Sequence, residues 1–325
     1  MRIERDRVGL GWRPELAAGI FSSLDQIDVL EVVASSTVQA SRRERMALRL
    51  VARQAPVHIH GVDLGLTGAE EVSRRRLEAI ARLIHDVEPE AWSEHLAFVR
   101  AGGHEIGHLA AAPRNEASVE NAARNLRRAA GLIGAQPAME NIATLIQPPC
   151  STLSEPAWMA RIAQASGCDL LLDLHNLYAN SVNFKFNPLQ FLDELPLERV
   201  RTIHIAGGRW ITSPDGRNQY LLDDHLHAVT GPVYELLAEV AARVEQPLTV
   251  ILERDGRYPE MPLLLQELEK ARQALKIGRQ RAAKPATAGA PQEAHDRTEP
   301  DSPEPHREIS GPALCRPTAA EAVSA

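Results

Sequence analysis

The hydrophobic positions of this 325-residue chain follow two alternating rhythms. Short runs dense in aliphatic residues occupy 8–12 (VGLGW), 27–33 (IDVLEVV), 56–61 (PVHIHG), 91–96 (AWSEHL), 137–142 (PAMENI), 169–175 (DLLLDLH), 201–207 (RTIHIAG) and 248–254 (LTVILER). Between them, apolar residues recur at helical spacing over 70–87, 118–133, 156–166, 232–244 and 262–276. Strands alternating with helices predict parallel pairing through right-handed crossovers. Eight such units in about 270 residues match the size of an α/β protein of the (β/α)8 TIM-barrel class. A doubly wound sheet is the alternative. The interval 208–230, after the seventh run, is long for a connection and is expected to carry function or irregular structure.

From about Gly278 both rhythms stop. Residues 278–325 hold seven of the 22 prolines and no Phe, Trp or Tyr. Such a segment buries too little apolar surface to offset its ordering entropy, so it is expected to be a disordered tail. The folded domain is therefore expected to span residues 1–277. His295, His306 and Cys315 fall in the tail as solvated residues.

Charge and composition narrow the classes. With 36 basic and 43 acidic residues, the formal charge of −7 argues against a general nucleic-acid binder. No apolar run approaches the ~18–20 residues of a membrane span, and the charged start MRIERDR has no apolar region behind it. Three unclustered cysteines (Cys150, Cys168 and Cys315) point to a reducing compartment and give no Cys-type zinc site. A cytoplasmic protein is the expectation.

In a (β/α)8 barrel the active site forms where strands finish. Here the strand ends and the loops after them carry His58, His60, His95, His104, His108, His175, His204, His225 and His227, nine of the twelve histidines. Glu31, Glu94, Glu140, Asp173, Asp223 and Glu253 accompany them. A single His at a strand end is ordinarily a hydrogen-bonded structural residue, but convergence from several strands points to metal. Imidazoles and carboxylates without thiolates suit iron, manganese or zinc. Glu140, Asp173 and Glu253 would place three negative charges near His60, His95 and His204, which favours two or more divalent ions over one. His58, two residues before His60, shares its side of the strand but lies deeper, and is read as core.

His104-Glu105-Ile106-Gly107-His108 formally matches the HExxH zinc-protease signature. It follows the turn signal Gly102-Gly103, and no long amphipathic helix continues from it. A loop or hairpin on the rim is expected instead.

With these strand ends in view, the chain resembles the DUF692 (UPF0276) family of multinuclear non-haem iron oxidases. That family includes the methanobactin-biosynthesis oxidase and enzymes that modify cysteines of ribosomally made peptides. The segments carrying the resemblance are HIHGVDLGL (58–66), SEHLAF (93–98), MEN (139–141), SEPAWM (154–159), LLLDLHNLYANSVN (170–183), IHIAG (203–207), LLDDH (221–225) and LERDG (252–256). It runs from about Val8 to Leu268. The resemblance implies a xylose-isomerase-like barrel in which His60, His95, Glu140, Asp173, His204 and Glu253 hold paired irons. It associates Asn176, Asp223 and His225 with a third. It further implies O2-dependent oxidation of a peptide cysteine, and a small companion protein that recognises the peptide's leader. Zinc or manganese remains an alternative to iron.

The chain departs from the family pattern at three places. The histidine expected after IHLAG is Gly208, the Asn-Asn pair of the sixth strand is His175-Asn176, and the EVHAEN-like segment after the second strand reads Glu31-Val-Val-Ala-Ser-Ser. Either His175 or His227 is a candidate replacement for the missing ligand. Asn141, Arg254 and Asp255 are candidate supporting residues, with a salt-bridged barrel rim as the alternative for the last two. Tyr178, Asn180 and Asn183 are weighed between pocket lining and loop capping. Arg209 and Trp210 are weighed between peptide contact and local packing. Two other functional classes stay open: a metal-dependent hydrolase or isomerase of similar architecture, and a non-catalytic metal-binding scaffold.

Overall fold

All eight aliphatic runs contribute strands to one closed parallel barrel: β1 (Arg7–Gly11), β2 (Leu30–Val33), β3 (Val57–Gly61), β4 (Ala91–His95), β5 (Ala138–Glu140), β6 (Leu170–Asp173), β7 (Val200–Ile205) and β8 (Thr249–Leu252). They pair in chain order, and β8 returns to β1 with Arg7 opposite Thr249 and Leu10 opposite Leu252. The doubly wound alternative is thereby excluded. The computed structural model describes residues 4–38 and 40–283. Every residue of β1, β3, β6 and β8 is buried, as expected where helices cover the outside and side chains fill the inside.

The five helices read from the sequence appear as Arg74–Val87, Glu116–Ile133, Glu155–Ser166, Gly231–Arg243 and Met261–Ala283. Their starts follow local chemistry. Asn115 and Ser118 form a reciprocal capping box, and the Ser154 hydroxyl accepts from the Ala157 amide while Pro156 occupies the first turn. Among the described residues, five further helices, Ala17–Phe21, Ala34–Val38, Arg42–Ala52, Leu174–Phe184 and Pro188–Glu194, lie outside the periodic stretches.

The final helix passes the boundary expected at residue 277 and ends at Ala283. Arg279, beyond that boundary, pairs with Asp6 at 2.7 Å and donates to the Gln246 carbonyl at 2.7 Å, which ties the extra turn to the barrel's N-terminal end. Residues 278–283 are thus helical rather than tail. The rest of the expected tail, 284–325, lies outside the described residues.

Two antiparallel hairpins stand on the C-terminal rim. One pairs Phe98–Ala101 with His104–Ala110, so the HExxH-like segment is an extended strand rather than a zinc-binding helix. The other pairs Arg209–Thr212 with Gln219–Leu222 inside the long connection after β7.

Candidate metal centre

Strand register delivers histidines and carboxylates to the same level of the barrel mouth. His95 at the end of β4 stands opposite Glu140 at the end of β5, and Asp173 on β6 stands opposite His204 on β7. Glu140 is the hub. Its Oε2 lies 3.3 Å from His60 Nε2 and 3.4 Å from His95 Nε2, while its Oε1 lies 3.1 Å from His204 Nδ1. His204 Nδ1 is also 3.1 Å from Glu253 Oε2, and its Nε2 is 3.0 Å from Glu31 Oε1. Three overlapping groups of donor atoms could each hold an ion: His60–His95–Glu140, Glu140–Asp173–His204–Glu253, and Glu31–His60–His204.

The surroundings orient these donors. The His95 Nδ1–H donates to the Gly61 carbonyl at 3.1 Å, which leaves Nε2 as a lone pair facing Glu140. His60 Nδ1 is held by the Ser93 hydroxyl at 2.8 Å, and its Nε2 likewise faces Glu140. Asp173 ends its strand by capping the next helix: its Oδ1 accepts from the Asn176 amide at 2.6 Å. Its backbone is fixed by Asn141, whose Nδ2 donates to the Asp173 carbonyl at 3.0 Å and whose Oδ1 accepts from the Asp173 amide at 2.9 Å. The remaining oxygens, Glu140 Oε2 and Asp173 Oδ2, are buried without a hydrogen-bond partner among the described residues. Orphaned carboxylate oxygens are costly in a protein interior, and Glu140 Oε2 faces the His60 and His95 Nε2 atoms without hydrogen-bonding to them. A cation between them would satisfy both.

The charges show the same need. Burial alone would raise the Glu140 carboxyl, but His204, His95 and His60 hold it down at about 2. Burial likewise opposes ionisation of Glu253, yet His204 and His225 hold it well below the usual range. Asp173 goes the other way: burial, then repulsion from Glu140, Asp223 and Glu253, pushes it well above the usual carboxylate range. Burial disfavours a charged His204, but Glu253, Glu31 and Glu140 raise it far above an ordinary imidazole. Without an ion, the shifts of Asp173 and His204 both favour proton retention within the cluster.

A second group of donors adjoins the first through Glu253. His225 Nε2 is 2.7 Å from Asp223 Oδ1, its Nδ1 is 3.1 Å from Asp255 Oδ2, and that nitrogen is 3.8 Å from Glu253 Oε2. His225 adopts a left-handed backbone, φ +52°, and its carbonyl accepts from the Asp255 amide at 3.0 Å. His175 Nε2 lies 3.6 Å from Asp223 Oδ1, and both nitrogens of this fully buried ring lack a hydrogen-bond partner among the described residues. Its place depends on Gly208: a Cβ there would fall 2.5 Å from His175 Nε2.

Several sequence expectations change. Of the nine histidines assigned to the rim, six approach these clusters or their loop. His104 and His108 lie on the exposed hairpin strand. His58 sits at the opposite end of the barrel, with Nε2 3.7 Å from Glu90, which Arg7 also holds, so the core reading stands for it. His175 is not a strand terminus but lies in the first turn of the helix that Asp173 caps. His227 pairs with Asp224 at 2.9 Å, whereas His175 lies 3.6 Å from Asp223. Asn176 reaches the Asn141 carbonyl through Nδ2 at 3.0 Å, leaving its Oδ1 buried and without a partner among the described residues.

Arg254 pairs with Glu267 of the last helix at 2.9 Å and donates to the Leu226 carbonyl, so its partners are structural. Asn180 and Asn183 tie their helix to the Thr144 amide and to Leu221, as loop capping requires. Glu31, on β2, stands outside the expected ligand set. Its period-two placement beside Leu30 and Val32 was the available signal.

This fold and this buried histidine–carboxylate cluster define a xylose-isomerase-like barrel with a candidate multinuclear metal centre. Solved structures agree at the level of fold. A xylose isomerase domain containing protein from Salmonella typhimurium superposes with TM-score 0.57 at 13% identity, covering 85% of this chain and 99% of its own. Endonuclease IV from Thermus thermophilus does so with TM-score 0.51 at 17% identity, covering 83% and 99%. The family model described as "RiPP precursor modification enzyme MbnB/TglH/ChrH" matches residues 7–276, and the chain belongs to this family. A UPF0276 protein from Streptomyces avermitilis is 37% identical over 281 residues; the match covers 84% of this chain but only 56% of that protein. A UPF0276 protein from an Anaeromyxobacter species is 30% identical, over 81% of this chain and 90% of its own. No described helix is long and apolar enough to cross a membrane.

Proposed function

We propose that this chain is a non-haem iron enzyme that uses O2 to oxidise a cysteine side chain in a ribosomally made peptide. The observation that carries the reading is the shared carboxylate of Glu140. One oxygen faces His60 and His95, and the other faces His204, which Glu253 also approaches. Such a carboxylate is suited to bridge two ions, with Asp173 completing the second set.

Iron held there would supply the redox chemistry that connects O2 to the substrate thiol. The chain's own residues hold and orient. Gly61 and Ser93 fix the His95 and His60 rings, Asn141 fixes Asp173, and the barrel wall excludes water from the inner face of the cluster. His175, Asp223 and His225, beside Asn176, form the position for a third ion, with His175 entering the space that Gly208 leaves. A small companion protein that binds the precursor's leader would bring the peptide to the barrel mouth.

Elemental analysis after anaerobic, iron-supplied expression tests this. At least two irons per chain and oxygen consumption with the cognate precursor are expected. Zinc alone, with hydrolytic or isomerase turnover, would move the chain to the other enzyme class. Absence of bound metal would leave the scaffold reading.

A further inference from the structure

A cavity of about 1070 Å3 starts at His60, His95 and Glu253 and runs outward beneath the helix Arg42–Ala52. It exceeds the ~300–1,000 Å3 common for small-molecule sites. Glu44, Ala47, Leu48 and Val51 of that helix line it, at the i, i+3, i+4, i+7 spacing of a single helical face. In a (β/α)8 barrel such a face is expected to pack against the barrel. Here Val51 is the buried residue of the helix, and Leu50, also lining the cavity, is 57% exposed. Across the space stand Val32, Val33, Trp12 and Phe21, the last 45% exposed.

The charges at the mouth define what fits. Glu15 and Glu44 are acidic, and Arg13, the lysine-or-arginine side chain among the described lining residues, is already paired with Asp255. An acidic ligand would find no unpaired guanidinium or ammonium. The helix has 11 residues and is about 16 Å long, the span of about five residues of extended chain.

We propose that this apolar cavity wall seats an apolar stretch of extended peptide free of acidic residues, flanking the residue presented to the metal cluster. The inference rests on the reading of the substrate as a peptide and assigns its specificity to the wall formed by Ala47, Leu48 and Val51. Val51 is anchored in the core and Leu48 packs partly against it, but Ala47 and Leu50 stay exposed, and the same cavity is lined by His60, His95 and Glu253 of the candidate centre.

The test uses the full-chain, metal-loaded protein and a dye-labelled capped peptide, Gly-Leu-Leu-Ser-Leu-Leu-Gly. Serine replaces cysteine so that no thiolate anchors the probe to metal. The counterpart carries Asp for each Leu. Fluorescence anisotropy is expected to show the leucine probe binding at least tenfold more tightly than the aspartate probe. Leu48→Asp and Ala47→Trp should each weaken the leucine probe at least tenfold, about 1.4 kcal/mol, with metal content and melting temperature unchanged. Should Leu48→Asp fail to fold, Leu48→Ala provides the same comparison.

Equal binding of both probes, or wild-type affinity in both variants, would overturn the proposal. So would a dimer in sedimentation that the same variants dissociate, because the face would then be an interface between copies. Leucine-selective, Leu48-dependent binding in a protein that never oxidises peptide would refute the redox reading while leaving the groove intact.

Discussion

His175 lies where a side chain at position 208 would lie. A Cβ on Gly208 would come within 2.5 Å of His175 Nε2 and 2.1 Å of the Leu222 carbonyl oxygen. Two residues 33 positions apart in sequence therefore exclude each other, and the missing side chain at one is the condition for the imidazole at the other. The absence of a histidine at 208 is not by itself evidence of a lost donor.

Gly208→Ala is expected to destabilise the protein by about 1–3 kcal/mol, the range for overpacking a close-packed site. His175→Ala in the same chain should recover only part of this loss, because the Leu222 carbonyl remains in the way. Urea denaturation of the two single variants and the double variant gives the comparison.

Asp173→Ala should remove about one equivalent of metal, leaving the His60–His95–Glu140 group able to bind. Glu140→Ala should remove both equivalents, since its two oxygens face both groups. Circular dichroism should show an intact barrel in each case. Full stoichiometry in the Asp173 variant would refute its assignment as a ligand.

Metal uptake should release protons. Burial and the neighbouring carboxylates push Asp173 well above the usual carboxylate range, and carboxylate neighbours outweigh burial to raise His204 and His225 far above an ordinary imidazole. Each shift favours the protonated form in the metal-free protein, and an entering cation displaces such protons. Affinity should therefore rise as pH rises. Calorimetric titration with divalent metal in two buffers of different ionisation enthalpy would measure the released protons, and an unchanged heat would contradict the assignment.

Arg254→Met should cost about 3–5 kcal/mol, because it leaves Glu267 as a buried carboxylate without its ion-pair partner. Replacing Glu267 by Gln in the same chain should restore part of the loss. Metal content should not change, which separates this pair from the ligands.

The barrel was legible because each strand is a short aliphatic run and each covering helix repeats its apolar residues along one face. These are local properties of the chain. The ends of helices were less legible: the sixth run extends to His175, two residues into the helix Leu174–Phe184, because Asp173 is both the strand's last residue and the helix's cap. The helix Arg42–Ala52 went unread, although its capping pair Ser41 and Glu44 stands in the sequence. Only Val51 of it is buried, so its apolar stripe is short and stands among charged residues.

For the candidate centre, strand-end position gathered nine histidines and six carboxylates, since in a parallel barrel all strands finish at one mouth, and the family resemblance narrowed them to His60, His95, Glu140, Asp173, His204 and Glu253. Sequence could not decide which atoms meet. That Glu140 divides its oxygens between two groups, that Glu31 joins His204, and that Gly208 makes room for His175 are distances between residues far apart in the chain. Such distances exist only once barrel closure and register have been set. The sequence determined the architecture and the residue types at its mouth; tertiary packing decided which of them share a site and which, like His58 and Arg254, pair elsewhere.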